Sequence, residues 1–181
     1  TKKAWGYFLH TTLLAAFITA FYGLAQYSGI ASGYTGRMES YLGNAAYLSI
    51  YMLFHIFIAF WMFVESKVTF HRAVYALLAL LFIFAVIESG TRGTVLGLMV
   101  GIGVMVTYIM LFGAKYREFR LYAVGIFVLL ILGTGFFIAA KDSAFIQNSP
   151  NLARIANISL QRDLEVRGVI WGMAWEGVKE R

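Results

Sequence analysis

Apolar residues in this chain neither alternate nor keep to one helical stripe; they run on almost unbroken, then stop at short polar clusters. Five such runs are marked out: Trp5 to Gln26, Ala45 to Val64, Ala73 to Ile87, Thr94 to Phe112 and Leu121 to Ala140. A segment that is hydrophobic all round belongs in lipid or a deep core, and runs of about twenty residues match the thickness of a bilayer. In hydrocarbon every backbone N–H and C=O must be satisfied within the protein, which a helix does by itself. The pattern therefore predicts an all-α, polytopic helical membrane protein with about five transmembrane helices. From Lys141 onward the character changes. "KDSAFIQNSPNLARIANIS" is polar and turn-rich, and beyond it Leu164, Gly168, Trp171, Trp175 and Val178 follow a 4-3-4-3 spacing that places two tryptophans on one helical face. That spacing predicts a helix lying on the membrane surface or packed on the bundle.

Composition agrees. Of 181 residues 60% are hydrophobic, 17% aromatic and 13% charged, and Pro150 is the single proline. A soluble domain of this size has no way to bury that much apolar surface. The first run is too long for the apolar part of a signal peptide and no small-residue cleavage pattern follows it, so it reads as a span. Cysteine is absent, which removes thiol chemistry and disulfides.

The net charge of +6 does not point to nucleic acid, because the cations are distributed by membrane side. Lys2, Lys3, Lys67, Arg72, Lys115, Arg117 and Arg120 lie at the N-terminus and in two alternate connections, against Arg37 and Arg92 in the others. By the positive-inside rule the first group is cytoplasmic. The segments "GRMESYLGN" and "ESGTRG" and the region from 141 to 181 then share the opposite face.

The short polar seam at Glu88 to Thr94 is the most informative of these segments. Ala73 to Ile87 gives only about 22 Å of helix, so the residues after it are expected at or slightly below the outer edge of the hydrocarbon. An arginine there needs a partner. Glu88, four residues before Arg92, is one choice; an anion from outside, received at the start of the next helix, is the other. Gly93, Gly97 and Gly101 form a small-residue stripe suited to close helix contact.

In the first outer connection, Asn44 has the position of a helix N-cap, and Tyr34, Tyr41 and Tyr47 suit an interfacial belt. Arg37 there has lipid headgroups or Glu39 as local partners. Arg167 stands one turn before Trp171, with Asp163 four residues back as a competing partner. His10 and His55 lie inside spans, where a lone histidine serves as a neutral hydrogen-bonding group between helices. Metal-ligand spacing, a P-loop and a dinucleotide fingerprint are all missing, so no cofactor is expected.

Three quoted features carry a resemblance. An arginine followed by a Gly-Asn pair opening a span ("RMESYLGNAAYLS"), a Ser-x-x-Arg-Gly hinge ("SGTRG") and an arginine four residues before a tryptophan on a post-span helix ("RGVIWGMAW") occur in this order on one face. Together they resemble the O-antigen ligase and polymerase family of bacterial envelope proteins. The resemblance implies a multi-pass protein of the bacterial inner membrane whose active face is periplasmic. It implies transfer of a glycan from an undecaprenyl-diphosphate carrier to a lipid or glycan acceptor, with arginines holding the diphosphate as it leaves. On it, Arg37 and Arg92 are the catalytic candidates, and Arg37, Arg92, Arg167 and Asn44 the substrate-binding ones. Family members continue from the outer loop into a glycine-rich segment, a histidine base and further spans, so this sequence is expected to be an incomplete copy of the family core. Two other classes stay open: a transporter or flippase subunit for a lipid-linked or anionic substrate, and a structural membrane subunit whose arginines are interfacial anchors.

Overall fold

The computed structural model describes residues 2–112, 117–157 and 160–179, with side chains described at 3–111, 121, 124–157 and 164–179. Among the described residues the secondary structure is helical throughout. Four long helices come first: α1 (Lys2–Tyr27), α2 (Ala45–Glu65), α3 (Thr69–Glu88) and α4 (Arg92–Phe112). They are followed by α5 (Arg117–Ala139), the short α6 (Ala144–Gln147) and α7 (Pro150–Ala156), and α8 (Leu160–Lys179). The first four are long and apolar enough to cross a membrane, and α5 contributes a shorter apolar stretch, Val124–Ala139. The protein is an all-α helical membrane protein.

Helices α2 and α3 pack most extensively on each other, and α1 and α4 each contact both of them, α4 chiefly through α2. Their shared core contains Leu13, Ala16, Ala20, Leu48, Met52, Ile56, Phe82, Ala85 and Val86. Small residues on α1 let Met52 and Phe82 fill the space between helices, and the outward faces stay apolar because lipid is their solvent. Of the glycine stripe on α4, Gly97 and Gly101 do face α2. A Cβ on Gly101 would stand 2.4 Å from the Phe57 ring and one on Gly97 would touch Leu53 at 3.5 Å, whereas Gly93 looks into open space. A buried hydroxyl pair, Ser49 to Thr94 at 2.9 Å, ties the same two helices higher up.

Two expectations change. The helix that carries the third apolar run begins at Thr69, ahead of Ala73, because "TFHR" continues the helix: Arg72 N–H already bonds the Val68 carbonyl. Its 20 residues give about 30 Å of helix, four residues of which precede the apolar run. The fourth helix likewise opens at Arg92 rather than at Thr94.

The two intramembrane histidines differ from each other. His10 Nδ1 donates to the Gly6 carbonyl, so Nε2 is the acceptor for the Tyr75 hydroxyl at 2.9 Å, a link from α1 to α3. His55 Nδ1 bonds the Tyr51 carbonyl on its own helix at 2.7 Å. Its buried Nε2 finds no partner among the described residues.

Candidate functional site

One end of the bundle is organised by the turn between α3 and α4. Glu88 ends α3, Ser89 caps it, and Gly90 takes φ of +59°, a left-handed conformation that breaks the helix and costs a glycine nothing. The Ser89 hydroxyl turns back to the Val86 carbonyl at 2.6 Å, and Thr91 reaches over to the Ala45 carbonyl at the start of α2. Asn44 beside it is the N-cap: its Oδ1 accepts from Ala46 N–H at 2.8 Å and Tyr47 N–H at 3.4 Å. The side chain assigned to substrate in the sequence reading is thus engaged in holding α2, at the rim of the turn.

Arg37 is brought onto this turn by the loop after α1. Met38 is fully buried and fills the notch left by Gly23, where a Cβ would stand 2.8 Å from the methionine side chain. Next to it Ser40 holds φ of +55°, unusual for a non-glycine residue, fixed by its hydroxyl to the Thr19 carbonyl and its N–H to Gln26 Oε1. Met38 N–H then bonds the Glu88 carbonyl at 3.0 Å, and Arg37, one residue earlier, is laid across the turn. Its Nε donates to the Ser89 carbonyl at 2.7 Å and its Nη2 to Thr91 Oγ1 at 3.1 Å. Glu39, the expected local partner, instead accepts from Thr35 Oγ1 at 3.2 Å.

A third element completes the cluster from more than sixty residues away. Asn151 on α7 donates to Glu88 Oε2 at 2.9 Å. Its amide lies so close to Gly90 that a Cβ there would meet Asn151 Oδ1 at 2.8 Å. Arg92 Nε donates to the Arg154 carbonyl at 2.8 Å. Glu88 therefore turns to Asn151 and not to Arg92, since Gly90 breaks the helical register that an i, i+4 pair requires. The structure brings Arg37, Arg92 and Arg154 to one turn.

Electrostatics at the turn follow from this crowding. Burial, and next the positive charge of Arg154, pull the Arg37 guanidinium below its ordinary value, with the Glu39 charge opposing. Burial and the Glu88 charge hold the Tyr34 phenol above its usual value while the Asn151 hydrogen bond works against them. Tyr34 thus stays a neutral donor at any pH below its ordinary titration. The partly buried Arg37 with the exposed Arg154 beside it puts like charges together at the turn, a place where an anion is stabilised.

Arg167 is not part of it. Every described side chain of α8 from Leu164 to Lys179 is exposed, and among the described residues Arg167 makes no polar contact with the cluster. The side chain of Asp163 lies outside the described residues, as do those of Arg117 and Arg120 and all of Lys115. The sequence reading missed Arg154 and Asn151. Their local signal is slight: polar residues three apart after a proline, on a helix too short to show periodicity. Comparison with known proteins adds no relative, since no family model, no curated protein and no solved structure matches the chain.

Proposed function

We propose that this chain binds the diphosphate of an isoprenoid-linked glycan and forms the leaving-group site of a membrane glycosyltransferase of the O-antigen ligase or polymerase kind, working at the non-cytoplasmic face. The observation that carries the reading is the meeting of Arg37 and Arg92, from separate outer segments, with Arg154 beside them, on one turn at the end of the bundle. In the reaction the bond between the anomeric carbon and the phosphate oxygen breaks, the bonding pair leaves with the diphosphate, and the acceptor hydroxyl forms the new glycosidic bond as it loses its proton. Negative charge grows on the leaving diphosphate. Guanidinium groups fixed in advance favour that state over the ground state, which is the condition for catalysis.

One observation favours a second reading, a purely structural clamp: Arg37 and Arg92 each direct Nε to a backbone carbonyl. The two separate on a conservative substitution. With the glycan-loaded carrier and an acceptor in proteoliposomes, Arg92→Ala is expected to lower transfer by about 10²–10³-fold while the protein still inserts and keeps its helical content. Full transfer by both Arg92→Ala and Arg92→Lys removes the diphosphate role.

A further inference from the structure

The opposite end of the bundle carries a feature that the glycosyltransferase reading does not use. Between α3, α4 and α5, where α2 ends, lies a groove of about 480 Å³ bordered by Arg72, Tyr75, Ala76, Leu80, Val106 and Ile126. A second groove of about 300 Å³ runs beside it past Trp61, Val64 and Tyr108. Phe60, Met105 and Ile109 line both, so these three side chains are a partition with an apolar channel on each side. Along α3 the first channel extends from Arg72 to Leu80, about 12 Å of helix, close to half of a hydrocarbon core of about 30 Å.

Its polar end is fixed in place. Arg72 donates Nε to the Ser66 carbonyl at 2.8 Å, and its guanidinium lies 5.9 Å from the centre of the Phe63 ring, so the charge stays at the mouth of the groove. The N-terminus and the connections on this membrane side hold seven lysines and arginines against two carboxylates, Glu65 and Glu118. A face of that sign attracts the anionic lipids of the cytoplasmic leaflet.

We propose that the paired grooves hold the two acyl chains of one anionic phospholipid of the cytoplasmic leaflet, with its headgroup phosphate at Arg72. Two adjacent apolar channels that share a wall, the larger of them opening at a cation, match a two-chain amphiphile of negative charge. A single-chain isoprenoid fills only one of them, and a zwitterionic lipid gains less from the charge.

The test uses the full chain purified in mild detergent and exchanged into nanodiscs of phosphatidylglycerol or phosphatidylcholine, with native mass spectrometry to count retained lipid. The expected result is one phosphatidylglycerol per chain, a retention about fivefold lower in Arg72→Gln, and loss of the retained lipid in Ala76→Phe, which narrows the larger groove. Val100→Phe, on an exposed part of α4 outside both grooves, is expected to retain lipid as the parent does. Equal retention of phosphatidylcholine, no retained lipid, or grooves covered instead by a second copy of the chain in a dimer would each overturn the proposal. If Ala76→Phe does not fold, the phosphatidylglycerol preference of Arg72→Gln against the parent decides it alone, because a merely structural role for Arg72 leaves that preference unchanged.

Discussion

Arg37→Ala is expected to abolish most glycan transfer, by about 10²–10³-fold in kcat, while leaving the loop that carries it in place. Loss of the side chain removes the bonds to the Ser89 carbonyl and Thr91 Oγ1. Hydrogen bonds from a charged group contribute about 1.5–3 kcal/mol each, and partial exposure reduces that figure here. The loop keeps its other anchors, namely Met38 in the Gly23 notch, Met38 N–H on the Glu88 carbonyl, and Ser40 on Gln26 and Thr19. Chemistry and folding thus separate at this position. Arg37→Lys is expected to recover only part of the activity, because a single ammonium cannot brace two points on the turn and face an anion together. Transfer from a lipid-linked donor in proteoliposomes, read beside thermal unfolding in the same detergent, gives both quantities. An Arg37→Ala protein with full transfer contradicts the assignment.

Gly90→Ala is expected to have the largest effect on stability and to act on the site without touching an arginine. At φ of +59° a side chain carries a strain of about 1–3 kcal/mol. The added Cβ also falls 2.8 Å from Asn151 Oδ1 and 3.6 Å from Arg154 Cδ. Asn151 is buried and cannot swing aside without giving up Glu88. The substitution is therefore expected to lift α7 from the turn, leaving Glu88 without its amide partner and moving Arg154 away from Arg37. Limited proteolysis should cut between α5 and α8 faster than in the parent. The double variant Gly90→Ala, Asn151→Gly should regain part of the lost stability, because the obstructing amide is gone. Unchanged proteolysis and melting in Gly90→Ala would show that α7 does not bear on the turn.

What was legible in the sequence follows the range of the interactions. The long helices could be read because lipid imposes its constraint on every residue of a span, so hydropathy alone marks them. The start of α3 could not, since Thr69 to Arg72 continue the helix through backbone bonds that take no account of side-chain polarity. Arg37 and Arg92 were legible as charges in short polar connections between apolar runs. Arg154 and Asn151 were not, because a contact across more than sixty residues leaves no local pattern. Arg167 drew attention through its spacing to Trp171, yet α8 exposes that face and carries it away from the turn. Glu88 was one of two partners offered for Arg92 by helical spacing, and the left-handed Gly90 between them interrupts that spacing.

The central claim is that guanidinium groups from distant segments form one diphosphate site. Equilibrium binding of farnesyl diphosphate and farnesyl monophosphate to the nanodisc-embedded protein tests it most directly, with the parent compared against Arg37→Ala and Arg154→Ala. The account predicts that the parent prefers the diphosphate by about tenfold, that each variant loses most of this preference, and that affinity falls with added salt. Equal binding of both ligands by the parent, or a preference that survives both substitutions, would contradict it.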